Sequence, residues 1–314
     1  MRKKRETSPK GNFLKNLSKN RSLLIMSLPA IVFFFIFSYI PMAGSYIAFV
    51  QYNYTDGIFG SKFVGLANFE FLFKSGQVWS LTRNTILYNL AFIGLGNLLQ
   101  VTVALLLNEL HSKWFRKFSQ TLMFIPYFIS HVLVGLFAYN LFNYEYGIVN
   151  SVLRSMGGDP VKIYSNPSVW PIIIVVAVLW QGTGYGSIVY FAALMGIDGS
   201  VVEAAQIDGA TTWQRIRYIY LPSLRPTIVI LILFSIGGVL KGNFGIIYNL
   251  VGSSNSLLWP TTDIIETFVY RALMNNFNFS MGSAVSLYQS VFGFALVMIT
   301  NYLVKKVEPE YSLF

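Results

Sequence analysis

Glu203, Asp208, Arg215 and Arg217 cluster around Gly209 in the stretch EAAQIDGATTWQRIRYIYLP, which runs from Glu203 to Pro222 between two apolar runs. Carboxylates and guanidinium groups at such spacing can make charge-assisted hydrogen bonds to another protein. No nucleophile stands beside a base here, so the chemistry on offer is docking rather than bond cleavage. A second set lies inside the apolar runs. Trp180, Gln181, Tyr185 and Tyr190 occupy one, Lys241 and Asn243 the next, and His131 an earlier one. Aromatic faces with a few hydrogen-bonding side chains are what hold sugars in a largely preformed site. Lys241 would favour an acidic sugar such as a uronate or sialic acid, though one Lys does not establish that. Blander readings stand beside these. Trp and Tyr also form interfacial belts. Gly182, Gly184 and Gly186 also fit close helix packing. Lys241 also fits a side chain snorkelling to the surface, and His131 a polar packing group.

What the chain lacks narrows the classes. It has no Cys, which excludes thiol catalysis, disulfide frameworks and Cys-based zinc sites, and its two His are too few and too far apart for a His-rich metal site. No G-x-x-x-x-G-K-[ST] loop, G-x-G-x-x-G, G-x-S-x-G or H-E-x-x-H occurs. The expectation is therefore no catalytic residue, no metal and no cofactor on this chain. A carrier driven by protons or sodium needs ionisable groups at mid-membrane depth. Asp and Glu gather instead at segment ends and in loops, and Lys241 alone is thin support for one.

The elements that must position these residues are membrane spans. Of 314 residues, 54% are hydrophobic and 11% charged, where a soluble domain carries about 25% charged residues. About 20 apolar residues cross a bilayer. Six segments qualify: Leu23–Val50, Thr85–Leu107, Gln120–Phe142, Pro171–Gly196, Pro226–Ile247 and Ala284–Val304. The first is read as an uncleaved helix rather than a signal peptide, because its run is too long and its basic lead spans about twenty residues. With the N-terminus inside, sixteen of the 23 Lys and Arg fall on inside segments and six outside, with Lys241 within the fifth run. That bias predicts an N-in, C-in topology. It also accounts for the net charge of +10 without a nucleic-acid partner. In the first outside loop, FVGLANFEFLF reads as a short helix lying on the membrane.

The loop between the fourth and fifth spans then faces inward. Glu203 to Ile207 is good helix material. Gly209 can end that helix in a left-handed conformation. Thr211 with Gln214 makes a capping box for a second helix. Leu221 and Pro222 mark the entry to the next span. Arg215, Arg217 and Arg225 read most simply as inside-positive anchors.

This stretch resembles the EAA loop of ABC importer permeases, E-A-A, three residues, G, nine residues, I-x-L-P. Glu203, Ala204, Ala205, Gly209, Ile219, Leu221 and Pro222 fall on the pattern, and Asp208, Ala210 and Trp213 match its commoner extras. Ile216 departs from a frequent Phe. Further stretches, among them RNTILYNL, VALLLNEL, FIPYFISHVLVG, GYGSIVYFAALMGI and RPTIVILILFSIGG, resemble the oligosaccharide and polysaccharide branch found with lipoprotein receptors in Gram-positive bacteria. The resemblance implies an all-α integral membrane protein of six transmembrane helices with the type I (MetI-like) importer fold. It implies a permease domain over 23–306, with its coupling loop at 199–222, between a basic tail (1–22) and a short C-terminal tail (307–314). It further implies a second homologous permease chain, most simply as a heterodimer, two ATPase subunits that hold ATP and Mg, an extracellular substrate-binding lipoprotein, an oligosaccharide cargo and a plasma-membrane location. Glu203 would pair with an ATPase Arg, and Gly209 would be the hinge. The competing reading is a stand-alone secondary sugar carrier.

Overall fold

The computed structural model describes residues 21–252 and 254–307. Apart from Arg21, Ser22 and Val307, the two expected tails lie outside the described residues. The described residues are mostly helical, with one two-stranded ribbon among them. Helix α1 (Arg21–Phe49) is followed by β1 (Val50–Gln51), which pairs antiparallel with β2 (Lys62–Phe63). A short helix α2 (Ala67–Lys74) follows, within the aromatic-rich stretch FVGLANFEFLF. The long helix α3 (Gln77–Glu109) comes next, then α4 (Lys113–Phe124), α5 (His131–Phe142) and α6 (Ile148–Ser155). Helix α7 (Trp170–Met195) leads into α8 (Gly199–Ile207) and α9 (Thr212–Ile236). Helices α10 (Phe244–Val251), α11 (Ile265–Met274) and α12 (Phe279–Val307) close the chain.

Among the described residues, five helices are long and apolar enough to cross a membrane, and a bent pair counted as one span gives six. Three expectations need correction. The third span is not one straight helix over Gln120–Phe142. It runs as Lys113–Phe128 and α5, turned 93° apart. Pro126 opens a tight turn, and Ser130 caps α5 by accepting from the Leu133 amide at 3.4 Å. A proline and an N-cap residue four positions apart stop one helix and start another.

The fifth span ends at Ile236, not Ile247. Gly237 and Gly238 follow, and glycine pairs hold helix poorly. The chain then turns, with the Lys241 amide donating to the Gly238 carbonyl at 2.7 Å. Lys241 and Asn243 therefore sit in a non-helical break, not on the fifth helix.

Nor does Pro222 separate the loop from the span. Helix α9 begins at Thr212 and passes through a wider turn over Ile216–Tyr220, where the Leu221 amide reaches the Ile216 carbonyl. Such a turn accommodates the proline ring without ending the helix.

Three apolar clusters hold the bundle. One joins Tyr88, Val134, Trp170, Ile174, Ile246 and Ile264. A second joins Leu72, Leu81, Leu240, Ile265, Val285 and Tyr288. The third joins Val101, Leu105, Tyr190, Leu194, Tyr220 and Leu224 at the base of the loop between α7 and α9. Between Arg21 and Met42, by contrast, α1 buries no residue. It packs on the body chiefly through its last turns, from Ala43 to Phe49.

Candidate functional site

The knob between α7 and α9 is built from local signals. Asp198 caps α8 by accepting from the Ser200 amide at 3.0 Å, and that bond holds its carboxyl below the usual range. The helix ends at Gly209, whose φ is +78°. There the Gly209 amide donates to the Gln206 carbonyl and the Ala210 amide to the Ala205 carbonyl, at 3.1 and 2.8 Å. These bonds satisfy carbonyls that a helix end leaves open. Thr211 and Gln214 form the reciprocal capping box, at 2.7 and 3.3 Å. Because α9 continues into the fifth span, any force on this knob reaches the bundle through an unbroken helix.

The knob's surface is unusual for a polar loop. Ile207 is 86% exposed, Tyr218 75% and Trp213 70%. Glu203, Ala204 and Asp208 are exposed beside them. Ala205, Asp208, Gly209, Ala210 and Ile219 line a shallow depression of about 330 Å³. Leu221 and Pro222 lie further along α9, toward the bundle.

Arg215 departs from its reading as a simple anchor. Its Nη2 donates to Glu109 Oε2 at 2.7 Å, and its Nη1 to the Ala210 carbonyl at 3.2 Å. Both side chains of the ion pair are mostly buried. The pair ties the knob to the last turn of α3. A charged hydrogen bond of this kind contributes ~1.5–3 kcal/mol. Glu109→Gln and Arg215→Gln are each expected to loosen the knob, seen as faster limited proteolysis between Asp198 and Pro222. The double variant should be little worse than either alone. Additive effects would mean that the two residues do not act as a pair.

The second site is a polar groove of about 490 Å³ between α3, α7 and the break after α9. Asn89, Asn97, Gln100, Tyr185, Lys241 and Asn243 line it, with Gly182 and Gly186 along one wall. Three sequence candidates, Tyr185, Lys241 and Asn243, thus come together. The other three lie elsewhere. Trp180 faces apolar hollows with Val176. Gln181 is buried, and its Nε2 donates to the Ile129 carbonyl at 2.7 Å, bracing the bend in the third span. His131 starts α5 and lies tight against Gly245 of α10, where a Cβ would stand 2.1 Å from its Nδ1. Tyr190 is fully buried and donates to Asn97 Oδ1.

Sequence reasoning missed Glu266. It is half-buried on α11, turned toward the same break. Burial pushes its carboxyl above the usual range, while the Phe244 amide, the charge of Lys241, the Gln289 side chain and the Gly242 amide pull it down. Gln289, on α12, also donates to the Leu240 carbonyl at 2.6 Å. The one signal in the sequence was an acid inside the apolar run IIETFVYRAL. Asp263 and Arg271 were also missed. They form a bidentate pair at 2.9 and 2.5 Å beside Trp259, over which the guanidinium stacks at 4.0 Å. Among the described residues, no group of three His, Asp or Glu could hold a metal ion.

Comparison with known proteins places this architecture. Residues 100–309 match the family described as "Binding-protein-dependent transport system inner membrane component". The polygalacturonan/rhamnogalacturonan transport system permease protein YteP of Bacillus subtilis (strain 168) is 33% identical over 95% of this chain and 92% of its own length. Protein LplB of the same organism is 32% identical over 97% and 95%. Among solved structures, a chain of a bacterial ABC transporter involved in the import of the acidic polysaccharide alginate superposes with a TM-score of 0.84. It shares 31% identity over 95% of this chain and all of its own. A chain of a bacterial alginate ABC transporter in complex with an alginate pentasaccharide-bound periplasmic protein gives 0.83, with 31% identity over 95% and 98%. Six spans, a capped knob continuous with the fifth and these matches over nearly the whole chain agree, and the chain belongs to the inner membrane components of binding-protein-dependent transport systems, as an ABC importer permease.

Proposed function

We propose that this chain forms half of the passage through which an ATP-driven importer moves an acidic oligosaccharide into the cell. The observation that carries the coupling half of this reading is the knob at 199–222. Ile207, Trp213 and Tyr218 would not stay so exposed to water without a protein partner. The partner that fits is a cytoplasmic ATPase holding ATP and Mg, with Glu203 and Asp208 supplying charge to its groove. The excess of Lys and Arg on the same side supports an N-in, C-in orientation. A second permease chain would complete the passage, most simply as a heterodimer. The uncovered apolar length of α1, from Arg21 to Met42, supports such a neighbour. An extracellular lipoprotein would deliver the cargo to a multi-pass protein in the plasma membrane of a Gram-positive cell, and ATP hydrolysis would belong to the separate subunit.

The acidic cargo is supported by Lys241, the cation in a groove whose other walls combine amides, Tyr185 and Ser235 with apolar side chains such as Phe92 and Leu231. The similarity to permeases named for polygalacturonan and alginate points the same way. Rigid-body switching of the two permeases would open the groove alternately to each side.

The test is uptake of labelled trigalacturonate into proteoliposomes holding the full assembly. Uptake should require internal-face ATP and survive ionophores that collapse proton and sodium gradients. Uptake without ATP that stops with the ionophores would replace this reading with the secondary carrier.

A further inference from the structure

A cavity of about 770 Å³ opens between the first turns of α3, the segment before α11 and the loop after it. Helix α3 is 33 residues long, about 50 Å at 1.5 Å a residue. Its far end carries Glu109, which pairs with the knob. The cavity therefore lies at the end of the molecule opposite the knob. It is also separate from the groove. Gln77, Ser80 and Asn84 of α3 line the cavity, whereas Asn89, Asn97 and Gln100 line the groove. At 3.6 residues a turn, Asn84 and Asn97 stand about 140° apart around the helix.

The inner wall of this cavity is locked. Asn84 is buried, and its Nδ2 donates to the Pro260 and Asp263 carbonyls at 3.2 and 3.0 Å. The Asp263 carboxylate is taken up by Arg271, whose guanidinium covers the Trp259 ring. Each charge is met within the wall, so a ligand finds hydrogen-bonding groups and little net charge. The rim is the reverse. Gln77, Ser80, Asn275 and Asn276 are exposed, and their side chains make no hydrogen bond among the described residues. Amides and hydroxyls can both donate and accept, as sugar hydroxyls require. The loop that carries two of them is held in place. The Asn275 and Asn276 amides both donate to the Arg271 carbonyl at 3.0 Å, and the Asn278 amide donates to the Ala272 carbonyl at 2.7 Å. Between them Phe277 has a φ of +50°, the one positive value on a residue other than glycine among the described residues. A bulky side chain rarely adopts that conformation, and such strain clusters at ligand sites. A rigid concave wall with an aromatic ring and a few converging polar groups is the usual make-up of a small-molecule site.

We propose that this cavity is a second saccharide site, on the side from which cargo arrives, and that it grips ring hydroxyls without regard to charge. The ligand class rests on the sugar-import reading, but the site does not depend on the groove being the passage. The bland alternative is a hollow that holds only water.

The experiment is saturation-transfer NMR on the assembled transporter in nanodiscs, without receptor. The probes are trigalacturonate and its fully methyl-esterified form, which has the same skeleton without charge. Gln77→Ala and the pair Asn275→Ala with Asn276→Ala should each weaken binding of the ester by ~2- to 10-fold, the size of one neutral hydrogen bond. Ser80→Trp, which breaks no bond and fills the cavity, should abolish it. In a Lys241→Gln background, where the groove has lost its cation, the two probes should bind alike and respond alike to these variants. If all these variants bind the ester as wild type does, the cavity holds only water and the proposal falls while the importer reading stands. It falls in the same way if saccharide binding is unchanged and only receptor-stimulated ATP hydrolysis drops, since the cavity then seats a protein. A preference for the charged probe that persists in the Lys241→Gln background overturns the indifference to charge. A wild type that neither binds nor imports either probe sinks the sugar-import reading as well.

Discussion

Gly209→Pro is expected to abolish ATP-driven uptake while leaving the spans assembled in the membrane. Proline fixes φ near −65° and has no N–H. Gly209 stands at +78° and donates to the Gln206 carbonyl at 3.1 Å. Both features are lost together, so α8 cannot end where it does and Ala210 cannot reach back to Ala205. The relation of Glu203, Ile207 and Asp208 to Trp213 and Tyr218 then changes, although each side chain remains. Nothing lies within 4 Å of a Cβ placed at Gly209. Gly209→Ala therefore carries conformational strain alone, ~1–2 kcal/mol for a left-handed alanine, and should weaken uptake rather than end it. The check is co-purification of the proposed ATPase partner, with ATP hydrolysis stimulated by the proposed receptor, from wild type and both variants. Loss in the order proline, alanine, wild type follows from a shape-dependent grip, and a loss of ~1.4 kcal/mol in docking is already tenfold in affinity. Undiminished hydrolysis and uptake in the proline variant would remove the knob from the coupling path.

The knob was legible in the sequence because its determinants are local. Thr211 and Gln214, and Gly209 after α8, act across three or four residues, and the structure uses them that way. The spans were legible for the same reason, since apolar length is a property of a single run. What the sequence could not disclose is what happens where runs meet. Glu109 and Arg215 pair across 106 positions, and no periodicity points from one to the other. The fifth run looks continuous to Ile247 because Gly237, Gly238 and Gly242 hardly lower its hydropathy, yet they are where the helix stops. That error moved Lys241 from a helix face into a break and hid its neighbour Glu266. Gln181 was misjudged for a related reason. A polar side chain within a span needs a partner, and the Ile129 carbonyl that it found exists only because the third span bends.

The same bend gives the second large effect. Gly184→Ala is expected to prevent stable assembly of the chain. A Cβ on Gly184 would lie 1.8 Å from the Met123 carbonyl oxygen and 2.4 Å from its carbon. Those atoms are backbone and cannot rotate away, so the whole half-span Lys113–Phe128 must retreat from α7. Overpacking alone costs ~1–3 kcal/mol where side chains can adjust, and here they cannot. The retreat would also draw Ile129 from Gln181 and disturb the mouth of α5. The neighbouring glycines supply internal controls on one helix. A Cβ on Gly186 would meet the Gln100 side chain at 2.2 Å, which can swing, and one on Gly182 meets nothing within 4 Å. Thermal unfolding of the detergent-purified chain should therefore fall steeply for Gly184→Ala, modestly for Gly186→Ala and hardly at all for Gly182→Ala. Gly182 lines the groove, so its variant is also the informative one for transport. If the groove is the proposed passage, a side chain there narrows it without loosening the bundle, and uptake of trigalacturonate should drop while stability holds. Equal melting of all three variants would mean that α7 and the bent third span are not joined through Gly184.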